Sequence, residues 1–255
     1  MSAIRLFAFT CGWISCSRGV FLAGERGKIR VPVPVYLIDH PDGLVLFDSG
    51  VHPDAIRDPR GRLGELVASV FTVELPAGDD VGGRLAALGV DPARIRYVVS
   101  SHLHFDHTGG NVQIPNARIV VQRREWAAGH GADAIAANVY NPADYDTGHD
   151  VLTVEGEHDL FGDGLVVTIP TYGHTPGHQS LRVRLATSDV VLTADACYLR
   201  RTLEAMHLPP VVHDADAMRV SIERLRALRA AGARLFFGHD PDFWTTVPQA
   251  PAAIT

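Results

Sequence analysis

The stretch Ser100–Gly110 constrains this chain more than any other part of its sequence. It reads SSHLHFDHTGG and places four side chains that can bind a metal within six residues: His102, His104, Asp106 and His107. Imidazole and carboxylate groups are the ligands that suit zinc and similar first-row metals. Packing explains such a cluster poorly, because buried polar groups need partners and exposed ones need no grouping. The sequence therefore predicts a metal site, and a fold that brings further ligands to it.

Length and composition limit the kind of protein that carries this stretch. The chain has 255 residues, of which 46% are hydrophobic and 20% charged, the balance of an ordinary globular protein. We expect residues 1–255 to form a single domain. The formal net charge is −6 and Lys and Arg are not clustered, which argues against a nucleic-acid or anionic-lipid partner. No stretch approaches the ~20 apolar residues of a membrane span.

The cysteines indicate the compartment. Cys11, Cys16 and Cys197 are odd in number and lack the CxxC spacing of a redox or zinc motif. A disulfide framework is therefore not indicated, and a reducing cytoplasm fits the sequence best.

Short apolar runs with strand character recur between turns rich in Gly, Pro, Asn and Asp. They predict strands over residues 4–9, 31–38, 44–48, 97–99, 118–122, 151–154, 165–169, 181–185, 190–193 and 235–237. Periodicity and capping predict helices over 63–71, from Asp79 or Asp80 to Leu88, and over 123–128 and 215–231. Residues 11–29 are predicted to form a loop, and 129–150 a long surface excursion.

Polar side chains follow several of these strands at the point where each one ends. They are Asp48, His102, His174, Asp195 and His239. Strand ends that meet at one edge of a packed sheet are where sites tend to form. The sequence therefore offers remote partners for the local cluster.

The spacing within the cluster favours two metal positions rather than one. His102 and His104 alternate along an extended segment, so both can face the same metal. Asp106 and His107 lie on the following turn and would face a second position about 3.5–4 Å away.

These motifs together resemble a known family. HxHxDH at 102–107, GHTPGH at 173–178, the aspartate of LTADACY at 192–198 and the late FFGHD at 236–240 are similar to those of the metallo-β-lactamase superfamily. Within it the chain most resembles the bacterial N-acyl-homoserine lactonases, over roughly residues 30–242. The resemblance implies an α/β fold, an αββα sandwich of two mixed β-sheets flanked by helices.

The resemblance also implies which side chains hold which metal. His102, His104 and His174 would hold one ion, and the second would be held by Asp106, His107 and His239. Asp195 would bridge the two, and the metals would be two divalent ions, zinc first, with iron, cobalt or manganese as alternatives. His178 would support the site without ligating, and Asp48 is expected either to orient a ligand histidine or to cap a turn.

The activity implied is hydrolysis of a lactone ring, most simply that of an N-acyl-homoserine lactone. Water ionised between the metals would attack the ring carbonyl, Tyr198 would contact that carbonyl, and Asp106 would protonate the leaving oxygen. Cys11, Trp13, Cys16, Phe21 and Phe71 are candidates to line a groove for the acyl chain, or else are ordinary packing residues.

Other functions remain open at this stage. The same fold and metals would serve another lactone, an ester, a thioester or a phosphodiester, because a fold alone does not name a substrate. A metal-binding scaffold or a redox protein with a di-iron centre is an alternative from another class. Both a monomer and a homodimer, which is common in the family, are compatible with the sequence.

Overall fold

Two mixed β-sheets lie face to face in the computed structural model, which describes residues 4–255. The larger sheet contains β1 (Arg5–Ser17), β2 (Lys28–His40), β3 (Gly43–Phe47), β4 (Thr72–Glu74), β5 (Ile95–Val99), β6 (Arg118–Gln122) and β7 (Val151–Val154). The smaller sheet contains β8 (His158–Asp159), β9 (Val166–Pro170), β10 (Gln179–Arg184), β11 (Asp189–Leu192) and β12 (Arg234–Phe236).

Strand direction brings several strand ends to one edge of each sheet. In the larger sheet the order is β4-β1-β2-β3-β5-β6-β7, and β3, β5, β6 and β7 run parallel. In the smaller sheet the order is β12-β11-β10-β9-β8, where β11 pairs parallel with β12 and antiparallel with β10. Because β9 is also antiparallel to β10, strands β9, β11 and β12 all end at the same edge.

Helices cover the outer faces of both sheets. The α-helices of the described part of the chain are α1 (Pro59–Leu63), α2 (Glu65–Val70), α3 (Val81–Ala87), α4 (Phe105–Thr108), α5 (Arg123–Ala128), α6 (Ala132–Asn138), α7 (Pro142–Tyr145), α8 (Arg200–Ala205), α9 (Ala215–Ala230) and α10 (Pro241–Trp244). Of these, α3 packs on the outer face of the larger sheet and α9 on that of the smaller. The predicted N-cap of α3 forms, since the side chain of Asp80 accepts from Gly83 N, and Asp214 caps α9 in the same way by accepting from Asp216 N.

Three layers of apolar side chains hold these elements together. The central layer joins the facing sides of the sheets, for example Phe47 and Val120 with Leu181 and Leu192. A second layer packs the outer face of the larger sheet against α3. The third packs Ile169 and other residues of the smaller sheet against the buried face of α9. This helix–sheet–sheet–helix order confirms the predicted αββα sandwich.

The prediction of a loop over residues 11–29 is wrong for its first part. Strand β1 continues to Ser17 and pairs with β2 along its length. A register shift between Thr10 and Trp13 accommodates Gly12, whose φ is +116°. Glycine and the polar residues around it interrupt the apolar alternation, so periodicity alone hides a bulged strand.

The prediction of a surface excursion over residues 129–150 also needs correction. This segment contains α6 and α7, and the side chains of Tyr140 and Tyr145 are buried. Tyr145 donates a hydrogen bond to the Gly129 carbonyl at 2.7 Å, and Arg62 forms an ion pair with the buried Asp144. Contacts with distant residues hold these short helices, and such contacts leave no local periodicity.

No helix within residues 4–255 has the length and apolar character needed to cross a membrane.

We predict that Gly173→Ala destabilises the protein strongly, whereas Gly131→Ala does not. Gly173 has a φ of +125°, and a Cβ placed there would lie 2.2 Å from Met218 N at the start of α9. Strain and overpacking together should lower the free energy of unfolding by about 3 kcal/mol or more. A Cβ on Gly131 meets nothing closer than 3.7 Å, so the substitution should cost no more than about 1 kcal/mol, the size of a lost glycine N-cap at the start of α6.

Urea unfolding followed by circular dichroism measures both variants. Equal stabilities for the two would contradict the close approach of the 171–178 loop to α9.

Candidate metal centre

Seven candidate ligands converge where the strand ends of the two sheets meet. They form two groups, each with ligand atoms within 4.8 Å of one another. The first group is His102, His104, His174 and Asp195, and the second group is Asp106, His107 and His239. Every metal ligand expected from the sequence therefore lies at one place, although the ligands come from four separate segments.

Three imidazole nitrogens face one another in the first group. His102 Nε2 lies 2.9 Å from His104 Nδ1, and His174 Nε2 lies 3.2 Å and 3.1 Å from these two atoms. Asp195 Oδ2 approaches the same point, 3.4 Å from His174 Nε2. Three nitrogens and one carboxylate oxygen around a common centre form the donor set of a four-coordinate metal site.

The other oxygen of Asp195 faces the second group. Asp195 Oδ1 lies 3.1 Å from His239 Nε2 and 3.3 Å from His107 Nε2. Asp106 Oδ2 lies 3.5 Å and 3.6 Å from the same two nitrogens. The Asp195 carboxylate therefore lies between the groups and presents one oxygen to each.

The outer ring nitrogen of each candidate ligand has its own partner. Those of His107, His239 and His104 bond at 2.8 Å to Asp48 Oδ2, the Pro32 carbonyl and the Asn138 carbonyl, respectively. His102 Nδ1 lies 2.9 Å from Ser101 Oγ, and His174 Nδ1 lies 3.0 Å from the Tyr198 hydroxyl. Such outer hydrogen bonds fix the ring orientation and leave the inner nitrogen free to ligate.

Two observations show that this donor set fits metal ions. His104 Nε2 must donate to the Asn138 carbonyl, so Nδ1 of the neutral ring carries a lone pair. Ser101 Oγ donates to Asp48, which assigns the His102 proton to Nδ1, and two lone pairs then face each other at 2.9 Å. Among the described residues, His107 Nε2 and Asp195 Oδ1 are also buried without a hydrogen-bond partner. A cation at each position would satisfy these atoms.

The two groups differ in charge. Burial lowers the pKa of His102 well below its usual range, and burial also lowers the pKa of His174, so both rings are neutral donors. Burial opposes the charged form of His107 too, but the carboxylates of Asp195, Asp106 and Asp48 outweigh it and raise the pKa of His107. Burial likewise opposes ionisation of Asp195, yet His107 and His239 hold its pKa well below the usual value.

His178 and Asp48 lie where supporting residues are expected. His178 Nε2 accepts a hydrogen bond from Asp195 N at 3.1 Å, and its Nδ1 lies 2.9 Å from Thr171 Oγ. Both ring nitrogens are thus engaged, and His178 orients the backbone of Asp195. Asp48 accepts from Ser101 N at 2.7 Å as well as from His107, so it orients a ligand ring rather than only capping a turn.

The expected acyl-chain groove is assembled only in part. Cys16, Phe21 and Phe71 belong to one apolar cluster with Tyr198, and the rings of Phe21 and Tyr198 lie 5.0 Å apart. Cys11 instead packs on the outer face of the larger sheet, with α3. Trp13 lies under the guanidinium of Arg30 at 3.9 Å. Residues Cys11 and Trp13 are separated from the groove because neighbours on a strand point to opposite faces and the bulge turns them further.

Two residues near the ligands were not expected from the sequence. Glu125 is fully buried and accepts hydrogen bonds from both loops that carry the first group. The carbonyl of Asn138 accepts from His104. Nothing in the local sequence marks either residue, because each acts through contacts that only the folded chain makes.

Comparison with known proteins agrees with this geometry. The model of the Metallo-beta-lactamase superfamily matches residues 29–239. The chain belongs to this superfamily. It is 36% identical to the N-acyl homoserine lactonase AttM of Azorhizobium caulinodans, across 98% of both chains. It is 32% identical to the N-acyl homoserine lactonase AiiA of Bacillus thuringiensis subsp. kurstaki, across 84% of both.

The fold of this chain also matches that of a solved structure. An N-acyl homoserine lactone hydrolase, with the product N-hexanoyl-L-homoserine at its catalytic metal centre, superposes with a TM-score of 0.88. That comparison covers 100% of both chains at 28% identity. The match confirms the superfamily resemblance inferred from the sequence motifs.

We predict that His174→Ala lowers the metal content from two ions per chain to one, whereas His178→Ala keeps two. His174 presents a bare nitrogen to the first group, while both nitrogens of His178 are engaged elsewhere. Elemental analysis after loading with zinc and desalting measures both contents. An equal loss of metal in the two variants would contradict the assignment of His174 as a ligand and His178 as a supporting residue.

Proposed function

We propose that this chain is a metal-dependent lactonase that opens the ring of N-acyl-homoserine lactones. The observation that carries the proposal is the Asp195 carboxylate lying between two ligand groups. The chain that bears it aligns over 98% of its length with an N-acyl homoserine lactonase. Lactone opening is the reaction for which both features are suited.

The first group and the second group would hold two divalent ions, with zinc as the proposed metal. Imidazole and carboxylate donors in four-coordinate sets suit zinc. When bound, such ions lower the pKa of water toward neutrality and polarise a carbonyl oxygen. Elemental analysis of the wild-type protein as purified, before any zinc is added, identifies the metal, and iron with an absorption band would replace the zinc assignment.

Tyr198 would donate a hydrogen bond to the ring carbonyl as negative charge develops on its oxygen. Its hydroxyl lies beside the first group, 3.0 Å from His174 Nδ1. Burial, and next the nearby Asp195 carboxylate, raise the pKa of Tyr198 well above its usual range, so the phenol keeps its proton at neutral pH. A protonated, buried donor beside the metals is the arrangement that stabilises an oxyanion.

Asp106 would deliver the proton that the leaving oxygen needs. The reaction adds the oxygen of water to the acyl carbon, breaks the ring C–O bond and turns the ring oxygen into a hydroxyl group. Asp106 Oδ2 lies beside His107 and His239, where a carboxyl can pass a proton from water to that oxygen. The product is a carboxylate, so each turnover releases one proton to the solvent.

The acyl chain would lie against the cluster that contains Phe21 and Phe71. Phe21 packs against Tyr198 and lies 5.6 Å from the ring of His239, while Phe71 contacts Phe105 at 5.9 Å. An apolar wall beside the metals fits a substrate with a polar ring and an alkyl tail.

We further propose that the enzyme is cytoplasmic and forms a single domain. Cys11, Cys16 and Cys197 are free and buried, which suits a reducing cytoplasm. The central core contains both Leu6 and Ile254, which supports one domain over residues 1–255. A homodimer stays a prediction, and sedimentation velocity would measure the oligomeric state directly.

We predict ring opening of N-acyl-homoserine lactones in a pH-indicator assay. The screen compares short- and long-chain homoserine lactones with other lactones, simple esters, thioesters and phosphodiesters. Activity is expected with the homoserine lactones and is expected to be abolished by a chelator and restored by zinc. Turnover confined to thioesters or phosphodiesters would refute the lactonase proposal, and metal binding without any turnover would favour a scaffold.

We predict that Asp106→Asn lowers kcat by about 10²–10⁴-fold, the range for loss of a general acid. The amide cannot donate a carboxyl proton, yet it keeps an oxygen for the metal, so part of the metal content should persist. Asp133→Asn, an exposed change in α6, is the matched control and should leave kcat unchanged. Unaltered turnover in Asp106→Asn would remove this residue from the proton-transfer role.

A further inference from the structure

Glu125 is a buried carboxylate on α5 that the proposed reaction does not use. Its side chain is 0% exposed and accepts four hydrogen bonds. Oε1 accepts from Leu103 N at 3.2 Å and from the Tyr140 hydroxyl at 2.6 Å. Oε2 accepts from the Thr175 hydroxyl at 2.9 Å and from Gly177 N at 2.6 Å. The four donors come from three separate segments of the chain.

Two of these segments carry the histidines of the first group. Leu103 lies between His102 and His104, so the hydrogen bond at its backbone N–H fixes the extended segment that aims both rings inward. Thr175 follows His174 directly, and its hydroxyl ties the second loop to the same carboxylate. Glu125 therefore links the two loops across the first group.

The third segment positions the outer nitrogen of His104. Tyr140 lies two residues after Asn138, whose carbonyl accepts from His104 Nε2 at 2.8 Å. The hydrogen bond from Tyr140 to Glu125 anchors this turn. All three histidines of the first group are thus held by segments that meet at one carboxylate.

The backbone at Gly177 packs closely against Glu125. A Cβ on Gly177 would lie 2.3 Å from Glu125 N, so only glycine allows the loop to approach α5. That approach gives the 2.6 Å hydrogen bond from Gly177 N. A contact this tight transmits the position of α5 to the loop that carries His174.

The second group depends on different supports. His107 Nδ1 bonds to Asp48, and His239 Nδ1 bonds to the Pro32 carbonyl. Among the described residues, the hydrogen-bond partners of Glu125 include none of these four. Ser101 links His102 to Asp48, so the two groups share that support, whereas the support from Glu125 reaches only the first group.

We propose that Glu125 is a positioning residue that sets the metal affinity of the first group and leaves that of the second group unchanged. The inference rests on the proposed metal-dependent function. Outer partners of metal ligands typically change affinity by about 10- to 100-fold when they are removed. Glu125 is expected to act at this level because three ligands depend on it.

Glu125→Gln is the variant that isolates this role. The side chain keeps its shape, but its NH₂ group must face either Leu103 N or Gly177 N. One backbone N–H then loses its acceptor, and the loop that carries it shifts. Tyr140→Phe removes a single donor and leaves three, so it provides a milder change that folds even if the Gln variant is unstable.

The experiment measures each group alone. In a His239→Ala background the first group remains, and in a His174→Ala background the second group remains. Zinc dissociation constants are measured for the metal-free proteins by competition with a chelating dye, with and without Glu125→Gln or Tyr140→Phe. Val166→Ala, a cavity in the central core, controls for general destabilisation.

In the His239→Ala background we expect Glu125→Gln to raise the zinc Kd at least tenfold and Tyr140→Phe to raise it less. In the His174→Ala background, the zinc Kd of the Glu125→Gln and Tyr140→Phe variants should stay within twofold of the value without them. Val166→Ala should likewise change the zinc Kd by less than twofold in either background. Equal weakening of both groups, or no weakening of the first, would overturn the role of Glu125. A wild-type chain that binds fewer than two zinc ions would instead contradict the proposed function, and the inference with it.

Discussion

The buried carboxylate of Asp195, placed between five imidazole rings, is the interaction on which the rest of this structure depends. Burying so many ionisable groups in one place is unfavourable unless each has a partner. Without cations, the second group is held by charge pairing, since the carboxylates raise the pKa of His107. The first group has no such pairing among its rings, and three inward nitrogens approach to 2.9–3.2 Å. A metal ion in each group would balance the carboxylates of the second group and occupy the space between the three nitrogens of the first.

The sandwich stabilises this arrangement because it supplies the candidate ligands from rigid strand ends. Asp48 follows β3, the HxHxDH segment follows β5, and Asp195 and His239 follow β11 and β12. The parallel ends converge at one edge, so most ligands need only a short loop to reach the centre. The outer hydrogen bonds then remove the remaining rotational freedom of each ring. The sheets therefore fix the positions of the candidate ligands, and the outer partners fix the orientation of their rings.

The segment between β6 and β7 connects this centre to the surface. Through Asn138 and Tyr140 it reaches His104 and Glu125, so it contributes to the first group without supplying a ligand. Its helices are short and depend on tertiary contacts such as the Arg62–Asp144 ion pair. The segment therefore supports the first group through two contacts, while its own helices are held by contacts elsewhere.

The chemistry of this protein is determined locally and could be predicted from its sequence. HxHxDH, GHTPGH and the late aspartate and histidine are dense, ordered motifs, and each follows a recognisable strand, so the residues themselves predicted a metal site at the strand ends. The resemblance of these motifs to the metallo-β-lactamase superfamily implied the sandwich and the division of the ligands between two metals. The bulged continuation of β1 and the helices of 129–150 were not, because a glycine bulge and long-range ion pairs leave no periodic signal.

Only the tertiary structure decided which groups support the ligands. Glu125 lies on a short helix in a sequence that marks no site, and Asn138 acts through a backbone carbonyl that any residue carries. Likewise, Cys11 and Trp13 were separated from Phe21 by the pleat and the bulge of β1. The sequence by itself determined the donor atoms, because ligand chemistry belongs to side-chain type. The fold decided their partners, because a hydrogen bond depends on where distant segments meet.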